Sequence, residues 1–270
     1  MDGYPMSAMN TKNDSIEKNP WHTLRQFTDA RIALGRAGNS LPTAPLLAFN
    51  LSHAQARDAV HQPLDTDALH AQLYANGYTT LDVHSAAPDR EHYLRRPDLG
   101  RRLSDDSRDV LARVDIEPPD VVFVIGDGLS AFAASKQAVP LLQAVCPRLA
   151  AWQIGPVVVA RQARVALGDE IGELLGTKLV VMLIGERPGL SSPDSLGVYL
   201  TYAPKLGCSD AQRNCISNVR PEGLGYEAAA HKLHYLLTHA RRLGLTGVGL
   251  KDDSDALLEA PVASVLLAVE

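Results

Sequence analysis

Val121-Val122-Phe123-Val124-Ile125-Gly126-Asp127-Gly128-Leu129-Ser130 is the stretch that decides the fold class. Five consecutive apolar residues, rich in β-branched and aromatic side chains, describe a strand buried on both faces, as in a parallel sheet. The glycine turn that follows leads into an alanine-rich segment with helical character. The same grammar recurs downstream. Pro156 to Ala160 reads as a second buried strand, and Gly168-Asp169 opens a short helix that closes at Gly176, where a left-handed C-cap is comfortable. Leu179 to Ile184 is a third buried strand, closed by Gly185-Glu186-Arg187-Pro188-Gly189, and Tyr226 to Leu243 is a long helix. Strands alternating with helices predict an α/β domain built on a parallel sheet.

Upstream of Pro118 the pattern is mainly helical. Leu24, Phe27, Ile32 and Leu34 form one apolar run ended by Gly35-Arg36-Ala37-Gly38. Pro42 marks a second helix start, with Leu46, Leu47, Ala54 and Val60 following, and Asp65 to Asn76 reads as a third. Ser104 is suited to cap a further helix that carries Asp105 and Asp106 in its first turn and runs to about Val114. Residues 1–20 read as a polar, flexible tail, 21–115 as a helical region, 116–253 as the α/β domain, and 254–270 as an apolar extension containing Leu257-Leu258 and Val265-Leu266-Leu267. There is no internal repeat.

Composition removes several classes of function. With 46% hydrophobic residues the chain can bury a sizeable core, and a net charge of −5 supplies no attraction for nucleic acid or an anionic membrane. Aromatic residues at 5% are too few for a base-stacking or carbohydrate surface. No apolar run approaches the ~20 residues of a membrane span, and Met1 to Asn19 has no secretory core. Cys146, Cys208 and Cys215 are an odd set with no C-x-x-C pair, which points to reduced thiols in a cytoplasmic protein.

Ligands of open parallel sheets bind beyond the carboxyl ends of the strands, which directs attention to Gly126–Ser130 and Gly185–Gly189. The first lacks the third glycine of a dinucleotide fingerprint and has no Walker lysine, so a simple tight turn and a ligand contact both remain readings of it. His231, His234 and His239 share one helix without an acidic residue at a matching ligand position, which suits a solvated or interface face better than a metal site. Arg95, Arg96, Arg101 and Arg102 surround a Pro-Asp-x-Gly turn and suit a partner's carboxylates, or a phosphate. Cys215, in Arg213-Asn214-Cys215-Ile216-Ser217-Asn218, has no base near it in sequence and reads as a small soft wall rather than a nucleophile.

Three stretches carry a resemblance. They are Arg31-Ile32-Ala33-Leu34-Gly35-Arg36-Ala37-Gly38, Tyr93-Leu94-Arg95-Arg96-Pro97-Asp98-Leu99-Gly100-Arg101-Arg102-Leu103, and the run from Arg164 to Asn218. The last includes Arg164-Val165-Ala166-Leu167-Gly168-Asp169-Glu170, Gly185-Glu186-Arg187-Pro188-Gly189-Leu190 and Asn214-Cys215-Ile216-Ser217-Asn218. In this order, over roughly residues 21–252, they closely resemble the small (light) subunit of adenosylcobalamin-dependent ethanolamine ammonia-lyase. The resemblance implies radical conversion of ethanolamine to acetaldehyde and ammonia, carried out in a complex. A large TIM-barrel subunit holds the substrate, and this subunit closes over the cobalamin with a Rossmann-like domain. It further implies a hetero-oligomer of six large–small pairs, in some organisms inside a bacterial microcompartment.

The family's cobalamin contacts match Val165, Glu186 and Cys215. No residue matches a catalytic acid, base or nucleophile, or a metal ligand. Asp82-Val83-His84-Ser85-Ala86-Ala87 resembles the Asp-x-His-x-x-Gly motif of proteins that ligate cobalt through histidine, but it has alanine in place of glycine and Pro88 next. It reads as a chance match in a surface segment. The contrasting expectation from the residues alone is a stand-alone α/β module for a nucleotide-like ligand.

Overall fold

The computed structural model describes residues 16–255 and divides into two compact units, residues up to Gln55 and from Ala56 onward. Most of the expected tail and of the C-terminal extension lies outside the described residues.

In the first unit a 3-10 helix spans Pro20–Phe27, its N-terminus capped by the Asn19 side chain, which accepts from the Trp21 N–H at 2.9 Å. This helix is shorter than the apolar run to Leu34 suggested. Thr28 is extended and Ala33 is left-handed (φ 52°), so Ile32 and Leu34 leave the helical path. Glu17 and Arg36 exchange two backbone hydrogen bonds, at 2.7 and 2.9 Å, and also pair through their side chains. Helix α1 (Thr43–His61) begins in this unit, close to where Pro42 marked its start.

The second unit is an α/β domain. Helix α2 (Thr66–Ala75), capped by Asp65, leads to strand β1 (Thr80–His84). Two short helices follow, α3 (Arg90–Arg95) and α4 (Asp105–Ala112), and Ser104 caps the latter as expected. Then come β2 (Val121–Gly126), α5 (Ala131–Val145), β3 (Val157–Arg161), α6 (Leu167–Leu174), β4 (Leu179–Gly185), β5 (Leu196–Tyr202), β6 (Arg213–Val219) and α7 (Tyr226–Leu243). Among the described residues these strands form one sheet in the order β1-β3-β2-β4-β5-β6.

The expectation of a parallel sheet holds for β1, β3, β2 and β4 and fails for β5 and β6, which run antiparallel. Residues 186–195 and 203–212 contain no α-helix. A parallel return needs a crossover of roughly a dozen residues or more, usually helical, so the chain doubles back. β1 also lay hidden in the region read as helical. It is an edge strand with one fully buried side chain, Val83, and it gives little apolar signal. The Asp82-Val83-His84 motif is therefore on an edge strand, with Asp82 exposed, and the His84 ring hydrogen-bonds the adjacent Ser85 carbonyl.

Period-two alternation sorts the central strands into two cores. Val121, Phe123, Ile125, Val157, Val159, Val181 and Leu183 face α2, α5 and α7. Val122, Val124, Val158, Ala160, Val180, Met182 and Ile184 face Leu111 of α4 and Leu167 and Ile171 of α6. With both faces covered, the polar ends of the strands are where a ligand can reach the sheet.

At that end the turn after β2 rests on the last residue of β4. The Leu129 N–H donates to the Gly185 carbonyl at 2.9 Å, and a Cβ on Gly185 would stand 1.9 Å from the Ser130 carbonyl oxygen. Both neighbours are backbone and cannot step aside. Gly185→Ala is therefore expected to cost about 2–3 kcal/mol of stability, the upper range of overpacking effects. Urea denaturation measures it, and a loss below ~0.5 kcal/mol would show that the two turns are not held this close.

Candidate functional site

The carboxyl ends of β2 and β3 are tied together through Asp127. Its carboxylate accepts the backbone N–H groups of Gln162 and Ala163, each at 2.9 Å, from the turn after β3. Arg90, reaching in from α3, donates to Asp127 at 3.4 Å and to the carbonyls of Gly128 at 2.8 Å and Val60 at 2.7 Å. Burial pushes the Asp127 carboxyl above its ordinary range, while Arg90 and the amide donors pull the other way. The Gly126–Ser130 turn thus serves as a structural clasp, with its aspartate turned toward the neighbouring loop.

The second of the motif-bearing stretches braces the same place. The Tyr93 hydroxyl donates to the Ala163 carbonyl at 2.9 Å, and the guanidinium carbons of Arg90 and Arg164 lie 4.7 and 4.3 Å from the Tyr93 ring centre. The Leu103 N–H donates to Glu170 on α6 at 2.8 Å, and Arg108 pairs with the same carboxylate at 2.5 Å. Of the four arginines in the loop, Arg95 pairs with Glu91 and Arg96 with Asp98, while Arg101 and Arg102 are exposed.

Val165 sits on the turn this brace supports, between β3 and α6. Its carbonyl accepts the Gly168 N–H at 3.1 Å and its side chain packs on the second core. Glu186 is the first residue past β4. One carboxylate oxygen, Oε2, accepts from the Ser195 hydroxyl and from the Asn218 N–H at 3.2 Å. The strand register shifts at Gly197, where a Cβ would stand 3.0 Å from Glu186 Cγ and 3.2 Å from the Tyr199 ring. The missing side chain is the room in which Glu186 lies.

Cys215 is in β6, not in a turn-rich segment, and is exposed on an edge strand, which is why its surroundings are polar. It lies directly opposite Tyr199, so the two share a face. Tyr199, like Val165, packs on the second core. Burial raises the Tyr199 hydroxyl well above its normal value, with Cys215 and Glu186 adding to the effect. Val165, Glu186 and Cys215 are therefore brought to one face of the sheet, with Tyr199 between the latter two.

Sequence reasoning did not single out Ser195 or Tyr199, which belong to the antiparallel half of the sheet, and met Asn218 only as the last residue of the Asn214–Asn218 motif, with no role assigned to it.

Around Tyr93 and the turn after β3, the buried atoms Arg90 Nη2, Arg164 Nε and Gln162 Oε1 have no hydrogen-bond partner among the described residues. Two donors and an acceptor left over in one neighbourhood suit a ligand bearing both kinds of group. Elsewhere, His231 bonds the Ser254 carbonyl at 3.2 Å and His239 stacks on Tyr235. Among the described residues no cluster of histidine, cysteine or carboxylate could hold a metal ion, and no helix is long and apolar enough to cross a membrane.

The constellation is a set of hydrogen-bonding and apolar groups at the carboxyl edge of an α/β sheet, and among the described residues it contains no base–nucleophile pair. The family model for the ethanolamine ammonia-lyase light chain matches residues 18–251, and the chain belongs to that family. It is 56% identical to the ethanolamine ammonia-lyase small subunit of Ralstonia nicotianae, over 94% of this chain and 96% of that one. It is 53% identical to the small subunit from Pseudomonas syringae pv. tomato, over 94% and 90% of the two chains. With the small subunit of Azotobacter vinelandii it shares 56% identity over 88% and 90%.

The register of the site strands depends on a buried ion pair. Arg213, at the start of β6, holds Asp169 of α6 in two bonds, of 2.5 and 2.6 Å, with both side chains at most 2% exposed. Thr201 and the Cys208 carbonyl take further guanidinium hydrogens. Burial pushes the Asp169 carboxyl up, and Arg213 opposes it. Arg213→Met is expected to cost about 3–5 kcal/mol because it strands a buried carboxylate, and Asp169→Leu added to it should recover much of the loss. Urea melts of the single and double variants check this. An Arg213→Met loss under ~1 kcal/mol would rule the pair out as the tie between β6 and α6.

Proposed function

We propose that this chain is the small subunit of an ethanolamine ammonia-lyase, closing with a large subunit over adenosylcobalamin for conversion of ethanolamine to acetaldehyde and ammonia. The observation that carries the reading is the gathering of Val165, Glu186 and Cys215 on one face of the sheet at its carboxyl edge. Family membership and the names of the relatives support it. The second unit is then a Rossmann-like cobalamin-binding domain with an antiparallel extension. The complex is a hetero-oligomer of six large–small pairs in the cytoplasm, packaged in a microcompartment where the organism builds one.

The residues present fit the coenzyme. A corrin ring is fringed with amides, which need acceptors and donors in about equal measure. Glu186 Oε2 is already engaged, and Oε1 is left to accept from an amide N–H. The partnerless Arg90 Nη2, Arg164 Nε and Gln162 Oε1 offer two donors and one acceptor, and the Val165 side chain presents an apolar contact. Cys215 and Tyr199 form a small, soft wall.

Bound adenosylcobalamin supplies the radical chemistry. This chain's residues bind, orient and exclude water, and Ser195 and Asn218 keep the Glu186 carboxylate pointed as it is. None of them moves a proton in the reaction. A stand-alone module for a nucleotide-like ligand would need the phosphate turn that Gly126–Ser130 fails to make, since its aspartate and glycines serve the clasp.

The isolated chain is expected to release no ammonia from ethanolamine, and mixing it with the large subunit and adenosylcobalamin should give turnover. Ammonia release by the small subunit alone would overturn the assignment. In the assembled complex, Glu186→Ala should weaken coenzyme binding tenfold or more, the equivalent of ~1–3 kcal/mol for a buried donor left unpaired. Spectrophotometric titration with the coenzyme reads this, and wild-type affinity in the variant would remove Glu186 from the contact.

A further inference from the structure

We propose that the first unit, residues 16–55, is a docking arm for the large subunit, anchored by Trp21, Leu24 and Phe27. The inference deepens the proposed function and rests on it, because it assigns the surface through which that partner is held.

The arm is unlike the rest of the chain. Among its described residues Pro42 alone is buried, while Ile16, Trp21, Leu24, Phe27, Leu47 and Leu51 are exposed. So many large apolar side chains exposed in so short a segment, with almost nothing buried, fit a surface that is covered on association. The arm is nevertheless shaped. The Glu17–Arg36 backbone bridge closes the loop that contains the 3-10 helix, and Asn19 caps that helix.

A 3-10 helix has three residues per turn, so positions three apart eclipse one another. Trp21, Leu24 and Phe27 therefore fall on one stripe, and they are 66%, 40% and 77% exposed. Two aromatic side chains and a leucine on a preformed stripe have the composition and rigidity of interface anchors, which dominate binding when they fill pockets.

Two observations point to the large subunit as the occupant. The family model begins at residue 18, so the arm belongs to what the family shares and is not a private appendage. The relatives are each named as the small subunit of one enzyme, a name that implies a larger partner for this surface to meet. The arm also carries Lys18, Arg25, Arg31 and Arg36 against Glu17 and Asp29, a positive excess in a chain whose net charge is −5. An isologous pairing of two copies would set these cations against each other. The chemistry asks for an apolar cleft that accepts aromatic rings, with carboxylates at its rim.

The test pairs Trp21→Ser/Leu24→Ser/Phe27→Ser with a control, Tyr74→Ser/Val248→Ser, whose residues are 83% and 84% exposed in the second unit. Each full-length chain is titrated with purified large subunit by calorimetry, and each is sized alone by light scattering. The triple variant should bind the large subunit at least 100-fold more weakly, the control within threefold of wild type, and both should keep the wild-type melting temperature. At large-subunit concentrations that force assembly, the triple variant should bind adenosylcobalamin with unchanged affinity.

Near-wild-type pairing by the triple variant would overturn the arm while leaving the proposed function standing. So would equal weakening in the control. A wild-type dimer that the triple variant dissolves would make the occupant a second copy and overturn the proposal. Failure of the wild-type chain to pair at all would overturn both readings.

Discussion

The Asp127 carboxylate is the contact on which the rest of the carboxyl edge depends. Parallel strands are fixed to one another by their ladders, but the loops beyond them are not, and a binding face made of loops needs its own ties. Asp127 supplies one by accepting two amide hydrogens from the next loop over and a guanidinium from α3. Such a group is expensive to bury, and its full set of donors offsets that cost. Removing it would leave two amides without their acceptor, and Arg90 without its ion-pair partner, at the point from which the Val165 turn departs. The close approach of Gly185 to the Ser130 backbone then fixes the Glu186 turn against the same clasp.

The antiparallel half of the sheet does different work. By doubling back after β4, the chain lays Gly197, Tyr199 and Cys215 alongside Glu186, and the register shift at Gly197 opens space for the carboxylate. A helical crossover at this point would have carried the following strand away and left Glu186 on an open edge. The buried Arg213–Asp169 pair links this half to α6, the helix that follows the Val165 turn.

The proposed function implies a division of labour. The site's groups accept and donate hydrogen bonds or present apolar surface, and none is arranged as a base beside a nucleophile. Such a face can hold a large amide-rich cofactor and keep water from it, leaving bond-breaking to the cofactor and substrate-holding to a partner. The exposed apolar stripe of the first unit belongs to the same logic, since a subunit that only completes a site must be held in register by something other than the ligand.

Much of this was legible in residue order alone. The runs at Val121–Ile125 and Leu179–Ile184, the cap at Ser104, the helix Tyr226–Leu243 and the left-handed Gly176 are local consequences of burial, capping and backbone sterics, and the structure places each where those forces require. The motif resemblance singled out Val165, Glu186 and Cys215 as the residues to look for in the structure. What residue order could not supply was which way β5 and β6 run, that Thr80–His84 is a strand, and that Ser195, Tyr199 and Asn218 surround Glu186. Edge strands bury one face at most and so carry mixed polar sequences, as Asn214, Cys215 and Ser217 do in β6. Their direction is set by the length of the connecting chain and by the ladder already waiting to be paired. Local chemistry chose the central elements. Pairing at the edge of a completed sheet, a property of the tertiary structure, assembled the face they share.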